Sequence, residues 1–340
     1  MSLIPGNFTE TALQDIRVES SQLMMDEMTK LQYEPSSLDI IKTVQAVQTA
    51  QVNTLFSNNK KDNKVELIDL HACGLEVTDL TGCIPSDAPK LSSTAKEFEI
   101  TQSEEVSFQI DENDLRPNVF TFEQAMAKGM LACEARIIES IQAYMIAVLN
   151  GGVGENSYTG GKGSVVGSDT YIDPALWDAS LYPYLITVMK KNRFKNAAFL
   201  TGHSAFYESM IAAMLNGANA NGPGEVAAFK SLPTFYDLEI LPEVNTPDNI
   251  SYMLALGSVA FASKQTYDTV VEENSDHSRF SYMSSIVPGL WFNVLTERVC
   301  SNNFTTQKTK MFAKHDLFTN PTGCDNTRTG ILSFTCDTVS

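Results

Sequence analysis

Residues 96–152 read KEFEITQSEEVSFQIDENDLRPNVFTFEQAMAKGMLACEARIIESIQAYMIAVLNGG, and three successive patterns in them decide the architecture. From Glu97 to Asp111 apolar side chains fall on alternate positions: Phe98 and Ile100, then Val106, Phe108 and Ile110. A period of two is what a strand with one buried face requires. Glu112-Asn113-Asp114 and Pro117 interrupt it. Thr121 then offers a hydroxyl cap, and Gln124 three residues on completes a capping box. Phe122, Met126, Gly129, Met130, Cys133, Ile137, Ile141, Tyr144, Met145 and Val148 follow at helical spacing. Asn150-Gly151-Gly152 closes the run as a helix terminus should. The product is a single helix of roughly 43 Å at 1.5 Å per residue, a beam with no catalytic motif on it. Gly129 lies on its apolar stripe, where glycine costs about 1 kcal/mol relative to alanine. That placement predicts close approach by a packed strand or a neighbouring element.

The remaining composition narrows the function classes. With 340 residues, 43% hydrophobic and 19% charged, the chain can bury a sizeable core in two subdomains and is not of disordered composition. A net charge of −17 argues against a protein that coats nucleic acid, because phosphate contacts need clustered Lys and Arg. Lys60-Lys61 and Lys190-Lys191 are isolated pairs. Met1–Gly6 has neither the basic nor the apolar region of a secretory signal, and no apolar run approaches the ~18 residues that span a bilayer. The six cysteines are scattered through a long chain, the pattern of reduced thiols rather than of a disulfide framework. Synthesis and folding in a cytoplasm, with no membrane partner, are expected.

Ahead of the beam, Ile40, Ile41, Val44, Val47 and Leu55 predict an amphipathic helix within 37–55, preceded by a looser leader with Met24, Met25 and Met28. Residues 57–63 are turn formers, and Val65, Leu67 and Ile68 begin a β segment. From there to Phe98 lie Gly74, Gly82, Pro85 and Pro89 with little to bury, which reads as an excursion from the body. Beyond the beam, Gly151–Gly167 reads as a flexible linker, and Ala175–Lys191 as a helix bent at Pro183. Ala197–Leu200 reads as a buried strand and Ser204–Asn216 as a helix. Tyr236–Val244 and Met253–Ala262 read as strands, with further alternation around Phe304–Phe312 and Ile331–Thr335.

Chemical motifs are sparse. Gly160-Gly161-Lys162-Gly163 invites a phosphate-loop reading, but Asn156 stands where the first glycine belongs and Gly163 where Ser or Thr belongs. His203 in Thr201-Gly202-His203-Ser204 reads as a turn residue, without the context of a nucleophile elbow. His71, Cys73 and Cys83 form the one cluster that could hold a metal, with no identifiable fourth ligand and no common zinc spacing. Cys324 and Cys336 are read as free thiols, and Asp111/Asp114 and Glu272/Glu273 as turn and loop carboxylates. No catalytic residue and no cofactor are expected.

The layout resembles the major capsid proteins of tailed bacteriophages, the Hong Kong 97-type fold. The resemblance rests on the junction of Phe108–Asp114 with Phe122–Asn150, on Asn196–Phe206 as a strand-then-helix unit, and on Leu254–Lys264 as a later central strand. Val287-Pro288-Gly289-Leu290-Trp291 through Lys310 fits the family's return of strands. It implies an α+β fold with an N-terminal arm (1–61), an extended β-hairpin loop (62–100), a peripheral domain (101–174 and 291–340, with the spine helix at 121–150) and an axial domain (175–290). It also implies a structural subunit that assembles with itself into the pentamers and hexamers of an icosahedral bacteriophage head around double-stranded DNA.

Scaffolding, portal and decoration proteins would be partners, the scaffold as a separate chain. The location would be the virion, assembled in the host bacterial cytoplasm. An arm and loop without a core of their own would gain burial from neighbouring subunits. Two alternatives are an encapsulin-like compartment shell and a soluble α/β nucleotide-dependent enzyme using the segment around Lys162.

Overall fold

The computed structural model describes residues 9–25, 35–49, 64–71, 92–115, 121–219, 232–244, 250–273, 277–301, 304–319 and 327–337. Helices α1 (Glu10–Met25) and α2 (Asp39–Val47) precede a hairpin of β1 (Lys64–His71) and β2 (Ser92–Glu99). Strand β3 (Gln102–Asp111), the single turn α3 (Glu112–Leu115) and the long helix α4 (Phe122–Gly151) follow. A ribbon of β4 (Gly163–Val166) and β5 (Asp169–Ile172) leads to α5 (Tyr182–Lys191), β6 (Ala197–Thr201) and α6 (Ser204–Asn219). Next come β7 (Thr234–Tyr236), α7 (Ile240–Val244), β8 (Ile250–Ala255), β9 (Val259–Lys264), β10 (Glu272–Glu273) and β11 (His277–Met283). Strands β12 (Trp291–Ser301), β13 (Phe304–Thr319) and β14 (Ile331–Cys336) complete a mixed α+β fold.

Helix α4 forms as its sequence requires. Thr121 Oγ1 accepts from the Gln124 amide and Gln124 Oε1 accepts from the Thr121 amide, both at 3.3 Å. This closes the capping box that satisfies two of the helix's orphan donors. At the far end the Gly152 amide donates to the carbonyls of Val148 and Leu149. Its buried stripe, including Met126, Ile137, Ile141 and Met145, shares one core with Ile110 of β3 and with Met311 and Leu317 of β13.

The sheet over this stripe runs β10-β11-β12-β13-β3, with β9 also paired to β13. All its pairings are antiparallel. Even-numbered residues of β3 are shielded and odd-numbered ones exposed from Gln102 to Gln109, as the alternation requires. The second sheet, β4-β5-β14-β8-β6-β7, is mixed and holds a separate aromatic core that includes Trp177, Phe199, Phe206 and Phe334.

Several expected elements take a different form. The alternation over 97–111 is shared by two strands, because the chain breaks at Ile100-Thr101 and only β3 joins the large sheet. The leader is helical: α1 buries Leu13 and Ile16 in the main core, and α2 buries Ile40, Ile41, Val44 and Val47 there. These parts of the arm therefore pack on their own chain, each large apolar side chain contributing about 1.5–3 kcal/mol. They do not wait for a neighbour, as the expectation for the whole arm had it.

Gly151–Gly167 is no flexible linker. The Gly154 and Glu155 amides donate to the carbonyls of Ile331 and Thr327, both at 2.8 Å, and the segment continues into β4. Pro183 stands in the first turn of α5, where its missing amide costs nothing, rather than bending a longer helix. The strand expected at 236–244 stops at Tyr236, because Asp237 Oδ1 accepts from the amides of Glu239, Ile240 and Leu241 and starts α7.

The apolar run 253–262 is two strands in two sheets, turned at Gly257 with φ +81. The Gly257 amide donates to Val47 O at 2.7 Å, tying α2 to this crossing. The ladders also cross between distant parts of the chain. Strands β9, β10 and β11, within 175–290, join the sheet of β3, β12 and β13. Strand β14, within 291–340, lies between β5 and β8 of the other sheet.

Candidate assembly site

Among the described residues, the β1–β2 hairpin pairs with no third strand. Its two strands pair antiparallel over eight positions, from Lys64↔Glu99 to His71↔Ser92. Among the described residues the ladder forms a two-stranded sheet apart from the two larger ones. At about 3.3 Å per residue the ribbon extends roughly 26 Å. A lone two-stranded hairpin is at best marginally stable in water and needs a further surface to hold it.

The root of the hairpin is anchored. The rings of Phe98 and Phe318 lie 4.8 Å apart, and Ile100 packs with Ala260 and Ala262 in a small cluster of its own. At the break between β2 and β3, the Thr101 amide and hydroxyl both donate to Asp316 Oδ2 at 3.1 Å. The other oxygen of Asp316 accepts from the Tyr144 hydroxyl at 2.6 Å and from the Leu317 amide at 2.9 Å. One carboxylate thus joins the hairpin root, the longest strand and the spine helix. Burial, followed by the neighbouring Asp316, pushes the Tyr144 phenol well above its usual range, so Tyr144 remains a donor.

His315 is fully buried beside this junction, with the Tyr144 ring edge-on at 5.3 Å. Neither of its ring nitrogens has a hydrogen-bond partner among the described residues. Burial lowers its pKa to about 4, so the ring is neutral at neutral pH.

The chemically suggestive residues go elsewhere. His71 ends β1, but its side chain and residues Cys73 and Cys83 lie outside the described residues. Cys324 lies outside them as well. Among the described residues no three His, Cys, Asp or Glu side chains converge as metal ligands would. Lys162 donates to Ser180 through both the carbonyl and the hydroxyl, which occupies the ammonium that a phosphate loop would present.

His203 stacks on Trp177 at 4.7 Å, and its Nε2 lies 3.0 Å from Cys336 Sγ. Burial raises the Cys336 thiol and lowers the imidazole, which leaves a neutral pair where thiolate chemistry needs an ion pair. Asp111 accepts from the Thr306 hydroxyl, and Glu272, which lies in β10 rather than in a loop, pairs with Arg279. Among the described residues no helix is long and apolar enough to cross a membrane.

The Asp316 junction has no signature in local spacing. Thr101 and Tyr144 lie 215 and 172 positions from Asp316.

No family model matches the sequence, and no curated protein does. Several solved phage structures align with most of the chain. The capsid structure of the Cyanophage P-SCSP1u matches over 82% of this chain and 85% of that one, with 10% identity and a TM-score of 0.48. The Cyanophage Pam1 capsid asymmetric unit matches over 85% and 87%, with 9% identity and a TM-score of 0.45. For the Cyanophage A-1(L) capsid asymmetric unit the figures are 85% and 92%, 14% identity and a TM-score of 0.44.

Proposed function

We propose that the protein is a structural shell subunit, a bacteriophage major capsid protein that assembles with itself and has no catalytic role. The observation that carries this reading is the β1–β2 ribbon, anchored at Thr101 and Phe98 yet laddered to no third strand among the described residues. A ribbon of this kind is stabilised when a second copy covers it, and a closed shell of repeated copies supplies that surface everywhere. The spine helix and its sheet form the rigid body that such a contact needs. Pentamers and hexamers of an icosahedral head around double-stranded DNA are the finer form of this proposal.

Scaffolding, portal and decoration proteins would be its further partners. The virion would be its location and the host cytoplasm its place of assembly. The net charge of −17 suits a wall that encloses DNA without adhering to it. Negative-stain microscopy of the purified full chain tests the reading: closed shells or ring-shaped capsomers support it, and a uniform field of small single particles overturns it.

A further inference from the structure

Between α1, α4 and the β11–β12 hairpin lies a cavity of about 860 Å³. Its wall is largely apolar, with Ile16 and Met24 from α1, Met130 from α4, and Ile286 and Trp291 opposite. Glu134 stands in that wall, although only 4% of it is exposed. Its Oε1 accepts from the Tyr282 hydroxyl at 2.6 Å and the Ser284 side chain lies close enough to favour the carboxylate, while Oε2 has no partner of full hydrogen-bond geometry among the described residues. A buried carboxylate with an unused acceptor oxygen is costly, and buried polar atoms of this kind are rare enough to require an occupant or a role.

We propose that this cavity binds an alkylammonium group, its carbon chain along the apolar wall and its N–H groups on Glu134 Oε2. Three features select a cation. A positive charge offsets the buried carboxylate, which a neutral donor does not. Tyr282 and Trp291 also line the cavity, and aromatic side chains suit a cation. The chain's formal charge of −17 raises the local concentration of cations. A free aliphatic amine and a lysine side chain of another polypeptide share this chemistry.

Tyr282 and Ser284 act on the Glu134 carboxylate and Cys133 adjoins it on the same helix, while Arg17 of α1 lines the cavity and acts on Tyr282. Burial pushes the Glu134 carboxyl up to about 7 and the Cys133 thiol to about 11, and it holds the Tyr282 phenol well above its usual value. Glu134 is thus the group that titrates near neutrality, and amine binding follows its ionisation.

The test is a thermal-shift and calorimetric comparison on the full chain at pH 6 and pH 8. The probes are n-hexylamine, n-hexanol, hexanoate and a blocked Ala-Lys-Ala tripeptide. Hexylamine is expected to bind saturably and about tenfold more tightly at pH 8, the change set by a carboxyl that titrates midway. Hexanol and hexanoate should bind more weakly, hexanoate being the ligand that Arg17 alone would prefer. Binding of the tripeptide alongside hexylamine identifies a lysine side chain as the source, and binding of hexylamine alone identifies a free amine. Glu134→Gln should keep the circular dichroism spectrum while losing both the amine preference and its pH dependence. Equal binding of hexylamine and hexanol to the unsubstituted chain at pH 8, or binding of neither, overturns the proposal whether or not the variant folds.

Discussion

The ring of Phe108 on β3 fills the space that a side chain on Gly129 of α4 would need: its Cδ2 and Cζ atoms stand 2.7 Å from where the missing Cβ would be. The helix gives up the propensity of a better former at this turn so that the sheet can approach its backbone. Gly129 is the residue that the apolar stripe marks as out of place, and a strand is what it admits.

Two opposed effects decide the outcome of Gly129→Ala. Alanine favours the helix by about 1 kcal/mol, while overpacking against the ring costs roughly 1–3 kcal/mol. Phe108 is held between strand and helix, so overpacking should win, and Gly129→Leu should be worse still. Adding Phe108→Ala to Gly129→Ala should recover part of the loss to the alanine variant. Urea denaturation reads each case, and a raised midpoint for Gly129→Ala would mean that the ring moves aside freely.

Asp316 should behave as the anchor of the hairpin root. Asp316→Ala leaves the donors of Thr101, Tyr144 and Leu317 without their acceptor, at a cost of roughly 1–3 kcal/mol for a buried unsatisfied group. Tyr144→Phe removes one hydrogen bond and should cost about 1 kcal/mol. Hydrogen exchange should show early loss of protection at Thr101 and along β2 in Asp316→Ala, with α4 still protected. Uniform loss across the chain would place Asp316 in the global core instead.

Stability against pH should carry two opposed contributions. His315 titrates near 6.5 when unfolded and at about 4 in the fold. The unfolded state therefore binds more protons between those values, and the histidine's contribution, complete above 6.5, is lost as pH falls to about 4. At about 1.4 kcal/mol per unit the loss approaches roughly 3 kcal/mol. Glu134 runs the other way, with its pKa raised to about 7 from roughly 4.3 when unfolded. Its contribution is complete below the unfolded value and lost as pH rises through 7. His315→Leu, which removes no hydrogen bond seen among the described residues, should flatten the acid side of the curve. Glu134→Gln should steepen it. Parallel curves for all three proteins would show that neither group differs between the folded and unfolded states.

Replacing residues 66–97 with a short Gly/Ser linker separates body from hairpin. The loop-closure penalty changes slowly with length, and the ribbon joins neither large sheet, so the body should melt within a few degrees of the full chain. Assembly should be lost, because the surface that pairs with a neighbour has gone. An unfolded product would make the ribbon part of the subunit's own core.

What could be read from the chain follows how far its causes reach along it. The cap at Thr121, the apolar stripe of α4, the alternation of β3 and the close approach at Gly129 are local, and residues 96–152 display them all. The run 253–262 is apolar throughout, so periodicity cannot show that Gly257 turns the chain from one sheet into the other. Asp237 reads as part of a strand until its carboxylate is seen accepting three amides. The helix of the leader leaves only a weak periodic signal, because Leu13 and Ile16 form a short stripe among polar neighbours. Glu134 and Tyr282 meet across 148 positions, and no spacing in the sequence signals that contact.

The most direct measurement of the central claim is sedimentation velocity of the purified full chain across a wide concentration range, with microscopy of each boundary. Capsomer-sized or shell-sized species that grow with concentration are expected. A single species at the chain mass of 37.4 kDa throughout, folded by circular dichroism, would contradict it.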